Sequence, residues 1–396
     1  MNNYKTLLSV CGMFRSGTTL LARMLHTHSK IIIGSDALAE FFKAVRNEIY
    51  YKNGVKINPA APFESLFNYN NSTLIKLVEK SDFNIKASSV STTELIQKIR
   101  AASESYSPLF SEKLAKTPIS GNNYLEIFNK LLDVMRDSYY KPGIDVLGFK
   151  TVWAEQLQAA FLNTAPNGKV IFIVRDPRAV VASNFVTSDH HYPLEFLIRQ
   201  WRKSIFYALL LAKINQKYKE RCFLIKYEDL IGSPKESVIQ MLKFLNLNME
   251  DALLDPSNFK DGKNERWVQN TSYSNPEQKF NKTSIEKWRQ TLSSDVIKFI
   301  EYCCYPEMVK LGYNITSITG KDVGRSMVYP DDDVGRLAGW IKEFYPVNLI
   351  TTTEWKKQIS EQELKRNQIY TELDGVTVEE IENYFIDKTY YDYITQ

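Results

Sequence analysis

The chain has 396 residues, 44% hydrophobic and 24% charged, with a formal net charge of +4. This is globular composition, long enough for one large core or two smaller ones. The balance is too mild, and too free of basic runs, to argue for a nucleic-acid partner. No apolar stretch reaches the roughly 18–20 residues of a membrane span.

"YKTLLSVCGM" reads as a short buried strand, beginning near Lys5 and ending in glycine. "SGTTLLARMLHTH" follows with Leu20, Leu21, Met24 and Leu25 at helical spacing, and Ser16 or Thr18 stands where a cap is needed. "KIIIGSD" is a second strand. Strand, glycine loop, helix and strand make a βαβ unit, which implies a parallel sheet. Residues 37–140 read as mostly helical and polar, an insertion that helps form a substrate cleft.

The α/β rhythm returns with a strand in "IDVLGFKTVW" (144–153) and a helix in "AEQLQAAFLNT". Val170 to Val174 are uniformly apolar and β-rich, as a central parallel strand requires. That strand runs into Arg-Asp-Pro-Arg, with a helix starting at Pro177. A long helix over about 193–217, a strand in "CFLIKYEDL" and a helix in "SPKESVIQMLKFLNL" follow. After an Asn/Ser-rich loop, helical segments close the main domain, residues 1–319. Residues 320–396 read as a C-terminal helical extension. Its end, "YFIDKTYYDYI", suits docking on the main domain or on a second subunit, which leaves a homo-oligomer open.

The four cysteines, Cys11, Cys222, Cys303 and Cys304, have no zinc-site spacing, and adjacent cysteines are a poor geometry for a bridge. A reducing compartment is expected. With no room for a signal peptide before the first strand, the expected location is cytoplasmic.

Two constellations carry chemistry. Gly12-x-x-x-x-Gly17-Thr18-Thr19 places backbone N–H groups and a helix N-terminus where they form an anion nest. The lysine of a nucleotide P-loop is absent: Thr18 holds its position, and the fixed cation is Arg15, whose planar fork suits a tetrahedral oxyanion. The competing reading is a structural turn. The second constellation is Arg175-Asp176-Pro177-Arg178 with Ser183. It offers an arginine, a hydroxyl and a helix dipole to a phosphate, or is an ordinary capped helix.

Together, "RSGTT" at 15–19 and "RDPRAVVAS" at 175–183 resemble the PAPS-dependent sulfotransferases, PAPS being 3′-phosphoadenosine-5′-phosphosulfate. The likeness spans roughly residues 5–313, through "KYEDL" (226–230), the loop around Ser272 and Lys279, and "KWR" (287–289). The pattern is most similar to tyrosylprotein-sulfotransferase-like and bacterial members. The resemblance implies an α/β fold: a central parallel sheet with a P-loop-type βαβ nucleotide site, flanking helices, the helical insertion and the extension. It implies that Arg15, Ser16, Gly17, Thr18 and Thr19 grip the 5′-phosphosulfate of PAPS, and that Arg175 and Ser183 grip its 3′-phosphate. Tyr227, Ser272 and Lys279 are implied as further nucleotide contacts.

By analogy with phosphoryl transfer, positioning and charge stabilisation do most of the work. A base must take the acceptor's proton, and cations must meet the charge on the bridging oxygen. Lys150 resembles a catalytic lysine of this family, with Lys116 in "LAKTP" as competitor. Asp36, at a strand's carboxyl end, matches the family's catalytic glutamate counted from Arg15, although "GSDALAE" departs from Gly-Glu-Glu. Glu40 is its neighbour and rival, and an N-cap role for Asp36 is the structural alternative. His26 and His28 end the P-loop helix. His190 and His191 follow the second anion site and could line an acceptor pocket.

The expected enzyme moves a sulfuryl group from PAPS to a hydroxyl of a small molecule, lipid or glycan, with Asp36, Lys150 and Arg15 in catalysis and no metal. The rivals are a P-loop kinase or NTPase, which Thr18 opposes, and a non-catalytic nucleotide-binding relative.

Overall fold

The structure is a computed structural model and describes residues 4–55, 72–185, 192–267, 280–331, 337, 341–372 and 375–396. These form two compact units. The first holds 4–55, 73–174, 207–267 and 280–281. The second holds 72, 175–185, 192–206 and the described residues from 282 onward.

The first unit is built on β1 (Thr6–Cys11), α1 (Thr18–Thr27), β2 (Ile31–Ser35) and the helices α2 (Ala39–Lys52), α3 (Ser72–Lys80), α4 (Thr92–Ser103), α5 (Pro108–Ala115) and α6 (Tyr124–Ser138). β3 (Val146–Lys150), α7 (Gln158–Thr164) and β4 (Gly168–Val174) follow. The chain passes through the second unit as α8 (Pro177–Phe185) and α9 (Leu194–Leu209), the last turn of α9 returning to the first. β5 (Cys222–Lys226), α10 (Tyr227–Gly232) and α11 (Pro234–Leu245) complete it.

The five strands form one parallel sheet in the order β2-β3-β1-β4-β5. β1, β2 and β3 are buried at every position, as a sheet covered on both faces requires. The strands of the opening βαβ unit are therefore not neighbours, because β3 lies between them. In register, Lys150 of β3 stands beside Val10 of β1 and Ser35 of β2.

The helices between β2 and β3 are anchored in an aromatic core. Phe149 of β3 meets Phe42 of α2 at 5.4 Å between ring centroids and Phe128 of α6 at 5.9 Å. Phe41, Phe83 and Tyr124 extend the cluster with edge-on contacts. Successive strand side chains alternate faces, so the position after Phe149 sends Lys150 to the opposite side of the sheet.

Three local expectations change. α1 is entered through Gly17 in a left-handed conformation, with no side-chain cap from Ser16 or Thr18. The long helix ends at Leu209 in a wider π turn, Leu210–Ile214. "YEDL" is the helix α10 rather than the end of β5, because Tyr227 already occupies the first helical position.

The second unit adds α12 (Thr283–Glu286), α13 (Trp288–Thr291), α14 (Ser294–Cys303), α15 (Tyr305–Lys310), α16 (Gly320–Val323), α17 (Ile341–Phe344), α18 (Val347–Ile350), α19 (Thr353–Thr371), α20 (Val378–Phe385) and α21 (Lys388–Thr395). Buried ion pairs join its early and late segments. Arg202 of α9 holds Glu363 of α19 in a two-point contact at 2.6 and 2.9 Å. Arg366 of α19 and the Tyr390 hydroxyl both donate to Glu307 of α15. Residues 320–396 thus share a core with 282–319. All four cysteines are buried thiols. Among the described residues, no helix is long and apolar enough to cross a membrane.

Candidate active site

β1 leaves the sheet through Gly12, at φ 154°. A Cβ there would lie 2.3 Å from the carbonyl oxygen of Ile173 in β4, so only glycine lets the loop pass this close. Arg15 then adopts φ 65° and Gly17 φ 92°. Left-handed residues interspersed along a loop turn successive N–H groups toward one concavity. Gly17 also lies against the ring of Tyr227, where a Cβ would come within 2.4 Å of a ring carbon. The first turn of the ten-residue α1 has no side-chain cap, the kind of helix start whose N–H groups and dipole suit an anion. Ser16 and Thr18 are buried, while Arg15 and Thr19 are half-exposed.

Among the described residues, six other than glycine have positive φ, and three of them follow adjacent strands. Arg15 comes after β1, Asp36 (φ 53°) directly after β2, and Trp153 (φ 68°) after β3. Backbone strain of this kind persists where surrounding structure enforces it, and it clusters at functional sites. The Trp153 ring packs on Phe14 of the loop at 4.5 Å.

Asp36 and Lys150 meet at this edge. The Asp36 N–H donates to the carbonyl of Lys150 at 2.7 Å, and the Lys150 ammonium donates to Asp36 Oδ2. Lys150 is 3% exposed. The second carboxylate oxygen, Oδ1, is buried and accepts no hydrogen bond. α2 starts at Ala39 with Leu38 at its cap, so Asp36 does not cap it. Ser35, beside Asp36, is pinned by Ser107, whose hydroxyl accepts from the Ser35 N–H at 3.1 Å and donates to its carbonyl at 2.7 Å.

The rivals lie elsewhere or in other roles. Lys116 is exposed at the end of α5. Glu40 sits in the first turn of α2, 3.7 Å from Lys43. His26 is buried, and its Nδ1 accepts the N–H of Ile33 at 3.0 Å. Burial first, then the charges of Lys141 and Arg23, push its pKa down to about 3. His28 Nε2 meets the carbonyl of Asn248 at 2.9 Å. His190, His191, Ser272 and Lys279 lie outside the described residues.

In the second unit, Arg175 is 5% exposed and donates to the carbonyl of Ser284 at 2.8 Å. Its own carbonyl accepts from Trp201 Nε1 at 2.7 Å. Ser183 is half-buried, two turns into α8. The other arginine of the motif is structural. Arg178 is paired with Asp176 and Glu301, and its guanidinium lies 4.0 Å from the Trp288 ring centroid. Trp288 belongs to "KWR", so that short motif marks a cation–π platform.

Sequence reading missed Arg23, which looks like an ordinary helical arginine. It is 7% exposed, and no periodicity marks it because it falls among apolar neighbours on α1.

Residues 8–251 match the Sulfotransferase family. Carbohydrate sulfotransferase 1 of Homo sapiens is 26% identical over 179 residues, covering 38% of this chain and 40% of that protein. Protein-tyrosine sulfotransferase of Drosophila melanogaster is 25% identical over 179 residues, covering 43% and 35% respectively. The matched region thus spans about 40% or less of the length of these relatives. The sulfotransferase domain of the Synechococcus PCC 7002 olefin synthase superposes with a TM-score of 0.44 at 18% identity, over 80% of this chain and 98% of that one. With a family match over more than half its length, and with a glycine loop, an uncapped helix start and a Lys-Asp pair at adjacent strand ends, the chain belongs to the sulfotransferase family.

Proposed function

We propose that the protein transfers the sulfuryl group of PAPS to an acceptor hydroxyl, with Asp36 as base. The observation that carries this reading is the divided use of the Asp36 carboxylate. One oxygen is held by Lys150, while the other is buried without a donor. A buried carboxylate oxygen without a partner is costly, and a base needs such an oxygen to receive a proton.

The P-loop suits the donor. Its nest and the α1 N-terminus supply N–H groups to a phosphosulfate, and Arg15 supplies a fixed cation. Nothing at position 18 serves a γ-phosphate. Arg175 and Ser183, assigned to the 3′-phosphate by resemblance, stand just before α8 and in its second turn.

In the proposed step the acceptor oxygen bonds to sulfur as the bond from sulfur to the 5′-phosphate oxygen breaks. The acceptor proton passes to Asp36 Oδ1. The electron pair of the broken bond stays on the phosphate, where Lys150, Arg15 and the loop N–H groups meet its charge. The products are a sulfate ester and adenosine 3′,5′-bisphosphate. Names of the relatives point to carbohydrate and protein-tyrosine acceptors, and a hydroxyl acceptor is common to both.

The test has two arms. Adenosine 3′,5′-bisphosphate is expected to raise the melting temperature, and ATP with Mg²⁺ is not; the reverse would favour the kinase or NTPase reading. Labelled PAPS with a native cell extract is expected to yield a sulfated product by mass spectrometry. Transfer that persists at the wild-type rate in Asp36→Asn rejects the base.

A further inference from the structure

Arg23 lies on α1, one turn beyond Thr19 of the loop, and is 7% exposed. Its Nε has no hydrogen-bond partner, and among the described residues no carboxylate lies within ion-pair distance of its guanidinium. Burial weighs against its charge. The groups that bear on it are Tyr139, Asp261 and Asp36, which favour the cation, together with His26 on its own helix.

Each of these neighbours makes a hydrogen bond to another group, and none of them is bonded to the guanidinium. Asp36 Oδ2 accepts from Lys150. Asp261 Oδ1 accepts the N–H groups of Lys263 at 2.8 Å and Glu265 at 3.1 Å. The Tyr139 hydroxyl donates to the carbonyl of Gly262 at 3.1 Å, and His26 Nδ1 accepts the Ile33 N–H. The segment that carries Asp261 is fixed as well. A Cβ on Gly262 would lie 2.2 Å from the carbonyl oxygen of Tyr106, so the 261–262 segment packs directly on the chain before α5. A buried guanidinium with no carboxylate at ion-pair distance is expensive to keep. Replacing it with an apolar side chain of similar length would remove that cost unless the charge has a use.

We infer that Arg23 is the acceptor-side anchor for an oxyanion: the acceptor carries a carboxylate, phosphate or sulfate group that Arg23 binds while its hydroxyl reaches Asp36. This rests on Asp36 marking the acceptor side, as in the proposed function. A guanidinium offers a planar pair of N–H groups to such an anion. Arg23 is then a specificity-determining residue: a neutral hydroxyl compound of the same shape leaves the guanidinium unpaired and is discriminated against.

The experiment uses inorganic sulfate as probe on the full chain saturated with adenosine 3′,5′-bisphosphate. Melting temperature is followed against sulfate, with sodium chloride at matched ionic strength as control. The wild type is expected to gain stability from millimolar sulfate beyond the salt control. Arg23→Met is expected to melt at or above the wild type without sulfate, and to bind sulfate at least about tenfold more weakly. A lower melting temperature with an unchanged sulfate response identifies Arg23 as structural and overturns the inference, as does a wild type with no response beyond salt. Should Arg23→Met fail to fold, Arg23→Lys decides: a weakened sulfate response supports the anchor, and an unchanged one overturns it. Absence of any shift with adenosine 3′,5′-bisphosphate would instead count against the donor assignment, and the sulfate comparison between wild type and variant still reads Arg23.

Discussion

The ammonium of Lys150, at the last position of β3, donates to the carboxylate of Asp36, the first residue after β2. Two residues 114 positions apart in the chain meet because their strands are neighbours in register. In the proposed reaction this contact fixes the base and keeps a cation beside it.

Asp36→Asn keeps the shape and removes the base. Binding of adenosine 3′,5′-bisphosphate, measured by calorimetry, is expected to stay within about twofold of wild type. The rate of sulfuryl transfer is expected to fall by about a hundredfold or more, the usual worth of a general base. Asp36→Ala is expected to destabilise the fold by about 3 kcal/mol, because buried Lys150 loses its partner. Adding Lys150→Met to that chain should recover most of the loss in denaturant unfolding; an additive result would show that the two side chains do not interact.

Gly12 and Gly17 are expected to respond differently to alanine. At Gly12 the new Cβ meets the backbone of Ile173, which cannot move aside. At Gly17 it meets the Tyr227 ring, a side chain. Both variants also carry a left-handed backbone penalty of about 1–2 kcal/mol. Tyr227→Leu is expected to restore part of the stability lost by Gly17→Ala and none of that lost by Gly12→Ala. Equal behaviour of the two pairs in thermal unfolding would contradict this account.

His26 predicts acid sensitivity. Its pKa is about 3 in the fold against 6.5 when unperturbed, with burial as the main cause. Between those values the unfolded chain binds the proton and the folded chain does not. Stability from this group is therefore complete above about pH 6.5 and falls as the pH drops toward 3, by on the order of 4 kcal/mol across the window. His26→Asn keeps an acceptor for the Ile33 N–H but does not titrate. Its unfolding free energy should decline less steeply over pH 6.5–4 than that of wild type, and parallel curves would remove His26 as the cause.

Residues 320–396 are expected to be indispensable. Ending the chain at 319 leaves Arg202 without Glu363 and Glu307 without Arg366, all buried. Breaking one such pair costs about 3–5 kcal/mol. The truncated chain is expected to be insoluble or to lose the cooperative unfolding of its 175–319 region in limited proteolysis. A soluble protein with the wild-type melting temperature would refute this.

The strands and the glycine loop were legible because their signals are local. Val170 to Val174 are apolar at every position, and Gly17 falls where a chain turning from strand to helix needs a left-handed residue. Lys150 and Asp36 could be proposed as strand-end residues, yet their contact was not readable: no local pattern reveals that β3 inserts between β1 and β2. Tyr227 reads as part of a strand because "CFLIKY" is continuous in character, and the backbone turns helical before the apolar pattern changes. Arg178 and Arg175 look equivalent in sequence, and only packing against Trp288 and Glu301 makes the first of them structural.

By itself the sequence determined the parallel α/β class, the lysine-free glycine loop and the set of residues with chemistry to offer, because short-range periodicity and backbone sterics suffice for these. The tertiary structure alone decided which side chains meet: Lys150 with Asp36, Arg178 with Trp288, and Arg23 buried with no carboxylate among the described residues at ion-pair distance. Those outcomes depend on strand order and long-range packing, which bring together positions that the chain keeps far apart.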